Sequence, residues 1–275
     1  MTRRVFGVLA WVFVLLVVAS PAAAPVSGAE PVERTAARLD DLMRRITGSV
    51  EERRAAELLN YHRVEGGLAA CMRAAGRPYR QPPYVSYYQD YTDADLGYGN
   101  GSGTVLDSVT AGPRPYRLAA AAFERLRRSG AVEHALAPED VPAFEACNAP
   151  FGHRSYFDAD PPAGVRELSG LDGLFAPLAA DGAVAAAMRP YQSCMRSKGH
   201  PDVGDDRPEY LSTRPAGQIE AAFAADAACR RPAYELAMAR VAPALEAWEA
   251  GHRAELVAVR QAWRRLVADA TPLPR

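Results

Sequence analysis

Apolar residues recur at helical spacing near both ends of the chain. From Val32 to Val50 they follow steps of four and three residues, with arginine and acidic residues between them. Such a heptad stripe is typical of one apolar helix face. The pattern becomes irregular and then resumes as far as Cys71. It predicts one long helix or two abutting helices between residues 33 and 75, with the weakest point at Gly66–Gly67.

The C-terminal third carries the clearest stripe. Its apolar positions, at a mean spacing of about 3.6 residues, are Val241, Leu245, Trp248, His252, Leu256, Val259, Trp263 and Leu266. They predict one long amphipathic helix that begins as early as Ala216 and is bent or interrupted at Pro232 and Pro243. Because two long helices can bury matching stripes against each other, we expect an antiparallel pair at the base of the fold.

Shorter helices are predicted between these two. The patterns place them near residues 116–128, 138–147, 165–178 and 181–198. In the last of these, Asp181 is the expected cap and Pro190 an expected kink. No segment shows the alternation of a strand. The expected fold class is therefore all-α, with long amphipathic helices in an antiparallel pair or bundle, long Pro/Gly/Tyr-rich loops and two disulfides.

Two copies of one short motif carry two of the four cysteines. The copies, each of the form Cys-Met-Arg-x-x-Gly-x-Pro, are Cys71–Pro78 and Cys194–Pro201. Glycine at this point favours the left-handed turn that ends a helix, and the proline blocks its continuation. Each copy therefore predicts a helix end with a cysteine in its last turn.

Each copy is followed by one further cysteine, Cys147 or Cys229. Four cysteines allow three pairings. If each copy and the cysteine after it form a unit, Cys71 pairs with Cys147 and Cys194 pairs with Cys229. The chain contains no Cys-x-x-Cys pair, so the pattern favours disulfides over a metal site or a catalytic thiol.

Residues 1–29 have the layout of a signal peptide. A basic start precedes an apolar run from Val5 to Ala19, and small residues at Ser27 and Ala29 suit cleavage before Glu30. The alternative is an uncleaved membrane anchor, since the stretch is near the length of a spanning helix. We expect a protein that is secreted or held on the extracellular face of the cell envelope, and that contacts the membrane only if this segment is uncleaved.

The rest of the chain is predicted to form two helical halves, residues 30–155 and 156–275. They are divided by a Pro/Gly-rich stretch at residues 150–164. Removing residues 1–29, which hold two arginines and no acidic residue, changes the formal net charge from -1 to -3. A chain with so balanced a charge is not expected to bind nucleic acid.

Residues 77–115 form a long segment without helical periodicity and contain six tyrosines. A loop of this length in a compact domain is either functional or disordered. Tyrosine rings supply amphipathic contact area at binding surfaces. The candidate binding residues are Tyr84, Tyr87, Tyr88, Tyr91 and Tyr98. The alternative is that these rings pack the segment onto the helices.

Sites for metals and catalysis have little support in the sequence. The segments His62–Glu65 and His252–Glu255 reverse the Glu-x-x-His order of di-iron helix bundles. Asp90, Asp93 and Asp95 match a calcium loop only loosely, because the required glycine and glutamate are misplaced. The chain has no nucleophile elbow, zinc-protease motif or phosphate-binding loop. We therefore predict no catalytic residue, metal ligand or cofactor.

The two cysteine motifs, together with Ala225–Arg230 and the tryptophan-bearing C-terminal helix, resemble a set of secreted actinobacterial proteins of uncharacterised function. In that set a Cys-Met helix end pairs with an Ala-Asp-x-x-Cys helix, a pattern that Ala225–Cys229 matches. The corresponding segment of the first half, Ala143–Cys147, lacks the aspartate. The resemblance implies an extracellular compartment and a helical architecture, and it implies no activity.

Two classes of function follow from these features. The first is a non-enzymatic binding or structural module that presents residues 77–115 to a protein partner or a cell-wall glycan. The second is an extracellular hydrolase or metal-dependent enzyme of unrecognised type. Charged or histidine side chains that converge in one cleft would favour the enzyme, whereas a tyrosine-lined surface would favour the module.

Overall fold

The computed structural model describes residues 31–99, 104–152, 155–157, 161–162, 171–204 and 206–275. Over these residues the fold is all-α, as predicted, and contains no strand. The helices are α1 (Val32–Thr47), α2 (Val50–Ala74), α3 (Arg114–Arg128), α4 (Val141–Asn148), α5 (Leu171–Ala179), α6 (Gly182–Met188), α7 (Tyr191–Ser197), α8 (Arg207–Ser212), α9 (Ile219–Gly251) and α10 (Arg253–Ala270). The predicted signal peptide, residues 1–29, lies outside the described residues.

The first predicted helix consists of two abutting helices that separate at Gly48 and Ser49. Gly48 has a φ of +94°, and a Cβ atom there would lie 2.8 Å from the ring of Trp263. Ser49 accepts a hydrogen bond from the amide of Glu52, whose carboxylate accepts one from the Ser49 amide, and this reciprocal capping starts a new helix. The helix α2 is not interrupted at Gly66–Gly67, the weakest point predicted from the sequence, and it packs against α4.

The predicted C-terminal helix is likewise two helices, α9 and α10. Pro232 and Pro243 do not interrupt α9, although each proline in a helix interior costs about 3 kcal/mol. The helix is held by packing against α1, α5 and α6, through buried residues such as Val241. The break lies instead at His252, whose imidazole stacks on the Trp248 ring at 4.2 Å.

The helices from the two ends of the chain pack together in the same direction. Arg38 of α1 bonds to Glu249 of α9. Farther along, Glu52 of α2 pairs with Arg260 of α10, and His62 contacts the carbonyl of Pro274 just beyond α10. Residue numbers therefore increase in the same direction along the helices from the two ends of the chain. The antiparallel pair expected from the sequence is not found. Only a short connection forces antiparallel neighbours, and here residues 75–218 lie between the two pairs.

Both predicted disulfides are present. Cys71–Cys147 joins α2 to α4 and Cys194–Cys229 joins α7 to α9, each with Cα atoms 5.7 Å apart. Gly76 and Gly199, which follow the two cysteine motifs, have φ values of +67° and +86°. The motif therefore ends a helix in both copies, as its glycine predicts.

Two disulfides indicate an oxidising compartment, such as the cell exterior. None of the helices in the described part of the chain combines the length and apolarity needed to cross a bilayer. The division into residues 30–155 and 156–275 stays a prediction, and α1 and α2 pack across it against α9 and α10.

Candidate functional site: an aromatic surface

The tyrosine-rich segment is fastened to α2 by a buried carboxylate. Glu57, which is fully buried, accepts hydrogen bonds from the hydroxyl of Ser86 and, at 2.9 Å, from the amide of Tyr87. Arg54 donates to the carbonyl oxygen of Tyr88 at 3.0 Å from the same helix. Arg125 of α3 donates to the Tyr87 carbonyl at 3.1 Å from the other side. These bonds fix the backbone at the centre of the segment.

Burial raises the pKa of Glu57 to about 7, against the opposing effect of the Ser86 hydroxyl and the backbone amides that donate to it. In the unfolded chain this carboxyl group has its ordinary pKa of about 4.5. Between these two values the folded protein binds a proton that the unfolded chain does not. The contribution of Glu57 to stability is therefore present at low pH and decreases as the pH rises toward 7.

We expect Glu57→Gln to remove this pH dependence. The free energy of unfolding of the unmodified protein, relative to the variant, should fall by up to about 3 kcal/mol between about pH 4.5 and pH 7. Urea unfolding at several pH values measures the difference, with the exposed Glu51→Gln as the matched control on the same helix. If the difference in stability between the two proteins does not change with pH, folding does not raise the pKa of Glu57.

A cluster of aromatic rings lies where this segment meets α3. We call it the aromatic surface, and it consists of Tyr87, Tyr88, Tyr91, Phe123 and Phe157. The ring centroid of Tyr87 lies 5.3 Å from that of Phe123, and the Tyr88 and Tyr91 centroids are also 5.3 Å apart. Most of these pairs meet edge to face, the arrangement that aromatic quadrupoles favour.

Phe123 is the exposed member of this surface. Its side chain is 54% exposed, whereas the four neighbouring rings are half-buried. On the same helix, the adjacent Ala122 and the more distant Leu126 are both fully buried. Phe123 therefore lies beside the buried stripe of the helix rather than on it. The sequence analysis did not identify Phe123 or Phe157 as candidates. The position of Phe123 around the predicted helix, relative to its alanine neighbours, could have identified it.

Charged residues border the aromatic surface. Arg53 lies over the Tyr88 ring, 5.3 Å from its centroid, and donates to its hydroxyl at 3.2 Å. Arg125 forms an ion pair with the exposed carboxylate of Asp90. The arrangement is an apolar centre with a polar rim, which is the composition of protein interfaces.

The other two candidate tyrosines lie elsewhere. Tyr84 packs against Tyr61 and Tyr156 at centroid distances of 5.4 and 5.9 Å, and burial raises its pKa to about 12. Tyr98 stacks on Phe175 of α5 at 4.5 Å. These two rings pack the segment onto the helices, which is the alternative that the sequence left open. A binding role stays a prediction for all five tyrosines.

The histidines and aspartates named from the sequence do not converge. Glu65 is buried and accepts a hydrogen bond from Tyr79, while His62 points to the C-terminal segment. Asp93 accepts from the amide of Val50. Within the described residues, no group of three or more histidine, cysteine, aspartate or glutamate side chains is placed to hold a metal ion.

Hydrogen bonds from Arg114 lower the pKa of the third aspartate in the calcium-like loop, Asp95, to about 2. Asp90 is paired with Arg125, as described above, and each of the three aspartates thus has its own partner. This loop is held by arginine side chains and a helix amide rather than arranged around a common centre.

A second group of buried polar residues ties the later helices together. It consists of Asp107, Tyr191, Arg207, Asp226 and Arg230. Asp226 accepts hydrogen bonds from Arg230 at 3.0 Å and from the Tyr191 hydroxyl at 2.7 Å. Arg207 pairs with Asp107. The charges of two arginines and two aspartates balance in this group. We therefore interpret it as a structural network that joins α7, α8 and α9 to the end of the tyrosine-rich segment.

Comparisons of the chain with protein-family models, with curated proteins and with solved structures give no match. The resemblance to secreted actinobacterial proteins therefore stays a prediction that depends on the two cysteine motifs. Any function must be argued from the geometry of the aromatic surface and of the charged residues.

Proposed function

We propose that the protein is a secreted or cell-envelope binding module without catalytic activity, and that it contacts its partner through the aromatic surface. The observation that carries this proposal is the exposure of Phe123 at the edge of four half-buried rings. Phenylalanine and tyrosine are enriched in protein interfaces relative to the rest of the protein surface. A partner that covers Phe123 would gain about 25 cal/mol of binding free energy for each Å² of apolar area removed from water.

The backbone beneath the surface is already fixed before binding. Glu57, Arg54 and Arg125 hold the segment that carries Tyr87 and Tyr88. Immobilising flexible side chains and loops is one of the main costs of association. A preorganised aromatic surface avoids much of that cost.

Ring orientation favours a protein partner over a glycan. The Phe123 ring stands at 74° to Tyr87 and at 85° to Phe157. These rings make an uneven surface with a projecting edge, whereas a sugar ring stacks on a flat platform. A projecting aromatic side chain fits a pocket in a partner, as the central residues of protein interfaces do.

The enzyme alternative has one arrangement in its favour, the contacts of Glu65 with Tyr79 and His134. His134 lies 3.4 Å from the Glu65 carboxylate. The His134 ring also packs on Phe144 at 4.8 Å, and Tyr79 is stacked against both rings. This group is built like part of the core beside the first disulfide, and the aromatic surface is the better candidate.

Phe123→Ala is expected to weaken binding to the partner at least about tenfold, which corresponds to about 1.4 kcal/mol. The folded protein would be immobilised and exposed in turn to solubilised envelope proteins and to protease-treated cell-wall glycan. The control is Val141→Ala, which alters an exposed apolar residue on α4. Circular dichroism of both variants should match that of the unmodified protein.

The three outcomes separate the interpretations. Retention of envelope proteins that is lost in Phe123→Ala and kept in Val141→Ala supports the proposal. Retention of the glycan with the same variant pattern would make the surface a glycan site. Equal retention by all three proteins, or none from either fraction, contradicts a binding role for the aromatic surface.

A further inference from the structure

A groove rich in arginine runs along α1 and across the junction of α9 and α10. It encloses about 580 Å³. Its charged lining consists of Arg38, Arg45, Arg253, Arg260 and Arg264, with Glu246 and Glu249. None of these residues belongs to the aromatic surface, so the groove is a separate feature.

The acidic residues do not neutralise all of these arginines. Glu249 is shared by Arg38, at 2.9 Å, and Arg45. Arg260 pairs with Glu52 of α2 at 2.8 Å. Arg253 and Arg264 form no ion pair with any residue that the structure describes, and both are exposed.

The two unpaired arginines lie on one side of α10. Arg253, Val257, Arg260 and Arg264 follow helical steps of four, three and four residues. Eleven residues of helix separate the first from the last, which is about 16 Å along the axis. Between them, the Val257 side chain is 53% exposed. One exposed apolar side chain thus lies among three arginines along a line.

We propose that this groove binds an extended polyanion, a chain that carries repeated phosphate or carboxylate groups. The guanidinium fork matches either kind of oxyanion in two parallel hydrogen bonds. The two arginine positions are about 16 Å apart along the helix axis, a spacing that a chain of anionic groups can span while it places its uncharged linker atoms on Val257. The net charge of the whole chain is -1, so attraction to a polyanion has to come from this groove rather than from the overall charge.

The position of neighbouring arginines on α10 provides a sharp test. Arg264 lines the groove, while Arg265 is also exposed and lies outside it. Calorimetric titration of the folded protein would use inorganic polyphosphate, polyglutamate and inorganic phosphate, each at about 50 mM and about 200 mM salt. We expect a polyanion to bind, with an affinity that falls as salt rises, and inorganic phosphate to show no measurable binding.

Arg264→Gln should weaken binding of the polyanion several-fold, and the double variant Arg253→Gln/Arg264→Gln should weaken it at least about tenfold. Arg265→Gln should leave it within about twofold of the unmodified protein. Preference for polyphosphate or for polyglutamate identifies the anionic group. Equal loss in Arg264→Gln and Arg265→Gln, competition by inorganic phosphate at matched phosphate concentration, or no binding of either polyanion would each overturn the proposal.

Discussion

Asp226→Ala is expected to lower the free energy of unfolding by about 3–5 kcal/mol. The Asp226 carboxylate is 2% exposed and accepts hydrogen bonds from Arg230 and Tyr191. Arg230 is 1% exposed, and Arg207 lies 3.5 Å from the same carboxylate. Removing Asp226 leaves these two guanidinium groups in the interior with only one aspartate to balance their two positive charges. An uncompensated buried charge is among the most destabilising changes a protein can undergo.

Urea unfolding followed by circular dichroism measures this loss. The matched control is Asp202→Ala, since Asp202 forms an exposed ion pair with Arg214 at 2.9 Å. An exposed pair contributes about 1 kcal/mol or less. If Asp226→Ala costs no more than the control, the arginines reach solvent when their partner is removed, and the network is not an enclosed one.

The network also explains the aspartate in the Ala-Asp-x-x-Cys segment. Asp226 and Cys229 lie three residues apart on α9, so the helix presents the ion pair and the disulfide within one turn. The first half has no aspartate at the equivalent position beside Cys147, and its disulfide packs instead with Val64, Leu68 and Phe144. The two halves share a disulfide pattern and differ in what surrounds it.

Features with local causes could be predicted from the sequence. The two cysteine motifs end helices because glycine tolerates a positive φ and proline blocks continuation. The cap at Asp181 is confirmed, since its carboxylate accepts from the amides of Ala183 and Val184. The chain also breaks at Pro190, between α6 and α7, where a kink was expected.

Features that depend on tertiary contacts could not be predicted. The Trp263 ring, which lies 215 positions away in sequence, packs against Gly48 at the break, whereas the Ser49–Glu52 cap that starts α2 is a local signal. Pro232 and Pro243 are tolerated because neighbouring helices hold α9. The direction in which α1 meets α9 is set by the helices between them, and the apolar stripes alone fit either direction.

The candidate sites show the same division. The count of tyrosines identified the segment that carries the aromatic surface, but it did not separate Tyr87 from the packed rings of Tyr84 and Tyr98. That separation depends on Phe123 and Phe157, which approach from other parts of the chain. A balanced net charge likewise concealed the arginine groove, because its residues come from α1, α9 and α10.

Loss of the disulfide Cys71–Cys147 is the second large effect that we expect. The bond closes a loop of 76 residues, and Cys194–Cys229 closes one of 35. In the chain-entropy model the first contributes about 4.5 kcal/mol to stability and the second about 3.8 kcal/mol. Most domains have a total free energy of unfolding of about 5–15 kcal/mol. Loss of either disulfide would therefore remove an amount close to the lower limit of that range.

Comparing the stability lost with each disulfide tests whether the disulfides act through the unfolded chain. Cys71→Ala/Cys147→Ala should lower stability more than Cys194→Ala/Cys229→Ala if closure of the unfolded chain dominates. Urea unfolding of both variants, each compared with the unmodified protein, measures the order. A larger loss in the second variant would show that Cys229 contributes mainly by holding α7 and α9 around Asp226 and Arg230. Stabilisation would then come from folded-state contacts of the buried network rather than from the unfolded chain.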